Sequence, residues 1–271
     1  MQINGTTELF GIIGMPVGHS LSPAMHNAAF AALGLNCVYL PLPARDAKDA
    51  VMAMKTFGIK GCSVTIPHKE EVVPFLDSID PLAEKIGAVN TLVQKNGQIH
   101  GLNTDWIGAN RALAETMPLK GKTVLLLGAG GSARAIGFGL LEAEAKVVLA
   151  SRTAARGREL AARLGCPWRP LTDTRNLTAD ILVNATSVGM RPQMDAAPID
   201  LTGLTNFQAV MDIVYAPLET KLLAAAGKKG LKTVNGLAML LFQGAAQFEL
   251  WTGQKAPVAV MRQALLASLP H

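Results

Sequence analysis

The sequence predicts an α/β protein that folds into two domains. Short apolar runs alternate with helical patterns along the first hundred residues, which is typical of a mostly parallel sheet covered by helices. A second series of this kind follows residue 106, with a fully apolar strand, a glycine-rich turn and a helix. The chain has 271 residues, 49% hydrophobic and 17% charged, which suits a globular protein of two modest domains.

The N-terminal elements are predicted from these runs and from the glycines and prolines beside them. Strands are expected at 9–14, 37–43 and 62–66, helices at 22–34 and 49–58, and a hairpin around Asn96-Gly97 at 89–105. Ser22 is the expected N-cap of the first helix, with Pro23 in its first turn. A further helix is expected to begin at Pro67, which would place Lys69 in its first turn.

Lys69 and Asp105 are the candidates for acid–base chemistry. The positive pole of a helix dipole disfavours a cation, so Lys69 is unusual in a first turn. It is either a solvated lysine beside Glu70 and Glu71 or a lysine whose charge state is set for chemistry. Asp105, in "GLNTDWIG", is by itself explained as a helix N-cap or first-turn carboxylate. Spacing alone does not pair the two residues.

Charge and cysteine content argue against several classes of protein. The net charge of +5 is spread without a long basic run and aromatic residues are few, so nucleic-acid binding is not expected. Three scattered cysteines favour a reducing compartment, and the histidines lack ligand spacing, so no metal is predicted. The N-terminus lacks a signal-peptide pattern, and polar residues interrupt the apolar segment 237–251. We therefore expect a cytoplasmic protein without a membrane span, either a monomer or a homodimer.

The glycine-rich turn after the strand "TVLLLG" fits the GxGxxG/A fingerprint of dinucleotide binding. The first glycine makes the tight turn, the second lets the backbone approach a pyrophosphate, and the small last residue lets the helix pack on the strand. The N–H groups at the helix start then bind the anion. A glycine turn without this role is the alternative, but the strand–turn–helix–strand context favours a cofactor. The predicted contacts are Gly128, Ala129, Gly130, Gly131, Ser132 and Ala133.

The end of the second strand of this unit discriminates NAD from NADP. Ser151 stands where an NAD-binding domain usually has Asp or Glu, so no carboxylate repels a 2′-phosphate. The guanidiniums of Arg152 and Arg156 can bind that phosphate. Alternatively both lie on a solvated helix face, as is expected for Arg158 and Arg163. We predict NADP, bound at this end of the strand by Ser151, Arg152, Thr153 and Arg156.

Nine segments, in order along the chain, resemble the shikimate dehydrogenases. They are GMPVGHSLSPAMHNAAF (14–30), SVTIPHK (63–69), GAVNT (87–91), GLNTDWIG (101–108), GAGGSARA (128–135), SRTAAR (151–156), NATSVGM (184–190), DIVYAPLETKLL (212–223) and NGLAMLLFQGAAQFELWTG (235–253). The resemblance covers residues 10 to 255. It implies the reversible NADPH-dependent reduction of 3-dehydroshikimate to shikimate, in aromatic amino acid biosynthesis. A branch that uses quinate or NAD typically has an acidic residue after the second Rossmann strand, and Ser151 departs from that pattern.

The resemblance also implies an architecture and a set of roles. Residues 1–105, completed by about 237–271, would form a substrate-binding catalytic domain, and 106–236 a Rossmann-type NADP-binding domain, with the C-terminal helix packing back on the first. Lys69 and Asp105 match the catalytic pair. The positions that match substrate-binding groups are Ser20, Ser22, Thr65, Lys69, Asn90, Asp105, Tyr215 and Gln243. Ile213 and Gly236 match further positions on the cofactor side.

Three alternatives stay open beside this function. The first is a quinate/shikimate dehydrogenase or a paralogue with a related substrate. The second is a ligand sensor that has lost catalysis, against which the intact Lys69, Asp105 and glycine turn argue. The third is a generic dinucleotide-binding module, which the motifs of the first domain disfavour. In the implied mechanism Lys69 exchanges a proton with the substrate oxygen, and Asp105 orients Lys69 or a neighbouring hydroxyl.

Overall fold

The computed structural model describes residues 3–174 and 177–269, and the chain divides into two compact α/β units. One unit is Met1–Thr104 with Leu241–His271, and the other is Asp105–Leu240. The sequence placed these two divisions at 105/106 and at about 236/237. The predicted fold class is confirmed, including the return of the C-terminal helix to the first unit.

The first unit contains a six-stranded sheet in the order β2-β1-β3-β5-β6-β4. Its strands are β1 (Glu8–Gly14), β2 (Cys37–Pro43), β3 (Gly61–Val64), β4 (Ser78–Ile79), β5 (Thr91–Lys95) and β6 (Gln98–Leu102). Its first three helices are α1 (Ser22–Ala32), α2 (Ala47–Phe57) and α3 (Pro81–Ile86). The buried face of α2 packs on the sheet in one apolar cluster, which includes Val51, Met54, Val64 and Leu92.

Strand direction brings several loops to one edge of this sheet. β1 and β3 are parallel, whereas β5 runs antiparallel to β3 and pairs with β6 in a hairpin. The ends of β1, β3 and β6 and the start of β5 therefore lie at the same edge. The hairpin turn is at Asn96-Gly97 as predicted, and both residues have the positive φ that such a turn requires (52° and 77°).

Two local predictions in this unit are wrong. Leu21 is the N-cap of α1 and makes no side-chain cap, so Ser22 is the first helical residue and not the cap. The helix expected from Pro67 is absent: residues 66–72 form turns, followed by a 3₁₀ turn at Val73–Phe75. Pro74 has no N–H to donate to Glu70, so a helix cannot continue there. Lys69 therefore lies in a turn, and the helix-dipole argument does not apply to it.

The second unit contains a six-stranded parallel sheet in the order β12-β11-β10-β7-β8-β9. Its strands are β7 (Thr123–Leu127), β8 (Lys146–Ser151), β9 (Trp168–Pro170), β10 (Ile181–Asn184), β11 (Ala209–Asp212) and β12 (Lys232–Val234). Its helices are α4 (Asp105–Ala114), α5 (Gly131–Glu142), α6 (Ala154–Leu164) and α7 (Lys221–Lys228). This order reverses between β7 and β10, as in dinucleotide-binding domains, where the ligand binds at the reversal.

The C-terminal segment completes the first unit. α8 (Gly236–Thr252) begins in the second unit, and its residues from Leu241 onward belong to the first. α9 (Val258–Ala267) packs against α1. Among the helices that the structure describes, none combines the length and apolar character needed to span a bilayer.

Candidate active site

The loops at one edge of the first sheet carry most of the predicted substrate-binding residues. Ser20 follows β1, Thr65 and Lys69 follow β3, and Asn90 directly precedes β5. Backbone hydrogen bonds tie these loops together: the Lys69 carbonyl accepts from Val89 N at 2.8 Å, and Asn90 O accepts from Val64 N at 2.8 Å. The Ser22 N–H donates to Ser20 Oγ at 3.2 Å. The topology of the first unit thus brings its predicted site residues to one edge.

The Asn90 side chain has a fixed orientation. Its Oδ1 accepts from the Thr104 N–H and from Thr91 Oγ1, each at 2.7 Å. Its Nδ2 donates to Thr104 Oγ1 at 3.1 Å and to Gln243 Oε1 at 3.5 Å. Because two short hydrogen bonds occupy the carbonyl, the amide must present its N–H₂ group on the side of Gln243.

Gln247 is a residue of this network that the sequence did not assign to the site. It lies one helical turn after Gln243 and is fully buried. Its Oε1 accepts from Ser63 Oγ at 2.7 Å, and its Nε2 donates to Asn90 O at 3.1 Å and Thr91 Oγ1 at 3.0 Å. A buried glutamine on an apolar helix requires polar partners, which is the signal that could have identified it.

The network extends from Gln247 across the sheet to β2. The buried hydroxyl of Tyr39 donates to Ser63 Oγ at 2.6 Å, and Ser63 in turn donates to Gln247. Each hydroxyl in this series of hydrogen bonds donates once. The donors therefore follow one order, from Tyr39 to Ser63, to Gln247 and finally to the Asn90 carbonyl. Such a satisfied buried network specifies one arrangement of its members.

His68 anchors the turn that carries Lys69. Its ring is 1% exposed, with Nδ1 2.6 Å from Glu71 Oε2 and Nε2 2.8 Å from the Ala44 carbonyl. Both partners are acceptors, so both ring nitrogens must donate, which only the imidazolium can do. Burial by itself lowers the pKa of His68, but the hydrogen bonds to Ala44 and Glu71 and the charges of Glu71 and Asp46 outweigh it and raise the pKa.

Replacing His68 with glutamine is expected to remove a pH-dependent part of the stability. A folded-state pKa above the unfolded value means that the folded protein binds the proton more tightly. The stabilisation is therefore complete below about pH 6.5, the unfolded value, and is lost as pH rises through the folded-state pKa. Urea unfolding of both proteins across this range should show a difference of about 1–3 kcal/mol at low pH that shrinks at high pH. A difference independent of pH would contradict the imidazolium assignment.

Asp105 occupies the first turn of α4, as the simpler interpretation of the sequence predicted, and it is 7% exposed. α4 packs on α5, where Asn110 Nδ2 donates to the Gly139 carbonyl at 2.6 Å. Lys69 belongs to the first unit and Asp105 to the second, so their pairing stays a prediction. Tyr215 also belongs to the second unit, three residues after β11, and burial raises the pKa of its phenol.

The predicted glycine turn connects β7 to α5. Gly128 has a φ of +116°, and a Cβ there would lie 2.9 Å from the Ala185 carbonyl oxygen, so a glycine is required. Gly130 is the N-cap of α5 and has no side chain to cap the helix, while a Cβ on Gly130 or Gly131 would meet no atom within 4 Å. The start of this twelve-residue helix thus has open space beside its first glycines, at the strand reversal, which fits the binding of a dinucleotide pyrophosphate by the first N–H groups.

Two other predicted cofactor residues touch one another. Gly236 is the first residue of α8, and a Cβ there would overlap the backbone of Ile213, the residue after β11. Asp212, which the sequence did not single out, is fully buried at the end of β11. It accepts from Thr220 Oγ1 at 2.7 Å and Asn184 Nδ2 at 2.9 Å, and burial raises its pKa. This carboxyl therefore joins the end of β10 to the segment after β11.

The segment after β8 presents the side chains predicted to select NADP. Arg152, Thr153 and Arg156 are exposed, whereas Ser151 is buried. Arg158 is exposed on α6 as expected, and its guanidinium also lies 4.9 Å from the ring centre of Trp168 in β9. Arg163 does lie on an exposed face, where it pairs with Glu159 at 3.6 Å.

Comparison with known families accounts for most of the chain. Residues 12–92 match the shikimate dehydrogenase substrate binding domain. Residues 110–191 match the family described as shikimate / quinate 5-dehydrogenase, and residues 236–266 match the shikimate 5′-dehydrogenase C-terminal domain. The matched ranges fall in both units.

Individual relatives are similar over nearly their whole length. A shikimate dehydrogenase (NADP(+)) from Moorella thermoacetica is 45% identical over 98% of this chain and 95% of that protein. The shikimate 5-dehydrogenase of Thermus thermophilus, solved in complex with NADP(H) and shikimate, is 40% identical, with a TM-score of 0.90 over 97% of this chain and 100% of that one. The ligand-free 5-ketofructose reductase of a Gluconobacter species is 32% identical, with a TM-score of 0.91 over 98% and 100%. The resemblance drawn from the motifs is thereby confirmed, and the chain belongs to the shikimate dehydrogenase family.

Proposed function

We propose that this protein catalyses the reversible, NADP-dependent interconversion of shikimate and 3-dehydroshikimate in the pathway to aromatic amino acids. The observation that carries the proposal is the 45% identity to a shikimate dehydrogenase (NADP(+)) over 98% of the chain. A generic dinucleotide-binding protein would match only the second unit. A ligand sensor would have no need of Lys69 and Asp105, which are both present.

In this proposal Lys69 is the acid–base residue. It takes the proton from the C3 hydroxyl during oxidation and returns it to the oxygen during reduction. Asp105 holds Lys69 and the adjacent hydroxyl in position. NADP, when bound, supplies the hydride acceptor. The hydrogen bond between the His68 ring and the Ala44 carbonyl and the backbone hydrogen bond between Lys69 and Val89 support the role of Lys69. They fix the turn from which its side chain projects.

The other polar groups at this edge of the sheet suit a small carboxylated polyol. Ser20 and Ser22 would hold the substrate carboxylate, while the ring hydroxyls would contact Thr65, Asn90, Gln243 and Tyr215. Asn90 carries the argument furthest, because its hydrogen bonds with Thr91, Thr104 and Gln243 hold its amide in one orientation at this edge of the sheet. A ring hydroxyl can both donate to and accept from polar groups held in this way, whereas an analogue lacking the hydroxyl cannot.

The second unit would bind the cofactor through its backbone and its arginines. The N–H groups at the start of α5 would bind the pyrophosphate. Arg152, Thr153 and Arg156 would bind the 2′-phosphate. Ile213 and Gly236 would border the cofactor from β11 and α8. We place the substrate-binding role on residues 1–105 with 237–271 and the NADP-binding role on 106–236.

Kinetics with matched substrates and cofactors test this proposal. Absorbance in the NADPH band should rise when the protein meets shikimate and NADP, and more slowly with quinate or NAD. Reduction of 5-ketofructose with NADPH, the substrate named for one structural relative, should be slow or absent. Faster turnover of quinate or 5-ketofructose would reassign the substrate, and dinucleotide binding without turnover would favour a sensor. Light scattering on the same preparation gives its molar mass and thereby distinguishes a monomer from a homodimer. We propose a cytoplasmic location for the enzyme.

A further inference from the structure

Trp168 lies at the base of the segment proposed to bind the 2′-phosphate. It begins β9, where it pairs with Leu149 of β8. Its indole Nε1 donates to Ser151 Oγ at 3.0 Å, and that hydroxyl donates to the Thr153 carbonyl at 3.1 Å. One indole therefore fixes the last residue of β8 and, through it, the N-cap residue of α6.

Helix α6 packs directly on this hydrogen bond. At Gly157, an added Cβ would overlap both Ser151 Oγ and Trp168 Nε1, so the helix approaches as closely as only glycine permits. The next residue, Arg158, stacks its guanidinium over the Trp168 ring at 4.9 Å. Trp168 thus holds α6 at two successive residues.

The exposed Arg152, Thr153 and Arg156 lie between these fixed points. Within the part of the chain that the structure describes, neither guanidinium has an ion-pair partner. Bidentate binding of a phosphate requires a planar guanidinium at a defined distance and angle. A shift of this turn would therefore weaken binding of a 2′-phosphate more than binding of a ribose without one.

We propose that Trp168 is a positioning residue for cofactor selection. It holds the turn from Ser151 to Arg156 in the arrangement that favours a 2′-phosphorylated dinucleotide over an unphosphorylated one. The packing of Trp168 and Gly157 around Ser151, which is 3% exposed, adds a second effect. It leaves no room for the longer acidic side chain that binds free ribose hydroxyls. This inference rests on the proposed function, which supplies NADP as the ligand.

Calorimetric titration measures this role without relying on turnover. The ligands are NADP, NAD and adenosine 2′,5′-bisphosphate, and the proteins are wild type, Trp168→Phe and Trp168→Leu. Phenylalanine keeps an aromatic ring under Arg158 but loses the N–H donor. We expect Trp168→Phe to lower the NADP-to-NAD affinity ratio about threefold to tenfold, and Trp168→Leu to lower it further. The affinity for adenosine 2′,5′-bisphosphate should fall in parallel with the affinity for NADP.

Trp251 provides a matched control. Its Nε1 donates to the Leu92 carbonyl at 3.0 Å in the first unit, so Trp251→Phe loses an indole hydrogen bond of the same length elsewhere. That variant should keep the wild-type affinity ratio. In a Ser151→Ala background, Trp168→Phe should change the ratio no further, because the acceptor is already gone.

Two results would overturn the inference. One is an unchanged NADP-to-NAD affinity ratio in both Trp168 variants, and the other is an equal loss of affinity for NADP and for NAD. A wild-type protein that binds neither dinucleotide would instead overturn the proposed function, and the inference with it. Wild-type binding thus separates the two failures.

Discussion

Replacing Lys69 with alanine is expected to lower kcat for shikimate oxidation by about 10²–10⁴-fold, the usual contribution of a general acid–base group. NADP affinity should stay at its wild-type value, because the substitution lies in the first unit and the proposed cofactor residues lie in the second. The fold should also persist, because the carbonyl of Lys69 that accepts from Val89 is retained. Single-turnover kinetics and calorimetry measure the two quantities separately.

Chemical rescue distinguishes a proton-transferring lysine from one that only shapes the turn. Added small primary amines should restore part of the rate of Lys69→Ala, with larger effects at higher amine concentration. Lys85→Ala, which removes a lysine from the last turn of α3, is the matched control and should turn over normally. Near-normal turnover in Lys69→Ala would refute the assignment. Asp105→Asn should lose less kcat than Lys69→Ala if the carboxylate mainly orients its partners.

Local sequence signals predicted those features that local chemistry determines. The strands expected at 9–14, 37–43 and 62–66, the Asn96-Gly97 turn and the glycine turn at Gly128 each depend on a few neighbouring residues, and the structure contains them. The expected helix at Pro67 failed because Pro74, seven residues later, removes the N–H that would extend it. Ser22 failed as an N-cap because α1 begins one residue earlier in register.

The structure adds residues whose roles depend on partners distant in sequence. Gln247 meets Ser63 and Asn90 more than 150 residues away, and no periodic pattern specifies such contacts. Trp168 similarly meets Ser151 only because β8 and β9 pair in parallel. The motifs supply the candidates for ligand contacts, and these stay predictions. The residues that hold those side chains in place emerged only from the packed structure.

Gln247→Glu is expected to destabilise the protein by about 3–5 kcal/mol at neutral pH, although the two side chains have the same shape. The new carboxylate would face Asn90 O and Thr91 Oγ1, to which the amide donates in the wild type. Thr91 cannot readily turn to donate, because its hydroxyl already donates to Asn90 Oδ1 at 2.7 Å. A charge would thus be buried against acceptors, at a position with no solvent exposure.

The same substitution should raise KM for shikimate more than KM for NADP, because it would displace Asn90 from its proposed substrate contact. Urea unfolding and steady-state kinetics measure the two effects. Gln254→Glu, at an exposed position of the same unit, makes the same chemical change and should alter neither quantity. Gln247→Met removes the hydrogen bonds without adding charge. The difference in unfolding free energy between Gln247→Met and Gln247→Glu therefore measures the effect of the buried charge. Lowering the pH should partly restore the stability of Gln247→Glu, because a protonated carboxyl is uncharged and donates one hydrogen bond. Wild-type stability and an unchanged shikimate KM in Gln247→Glu would show that the network does not position Asn90.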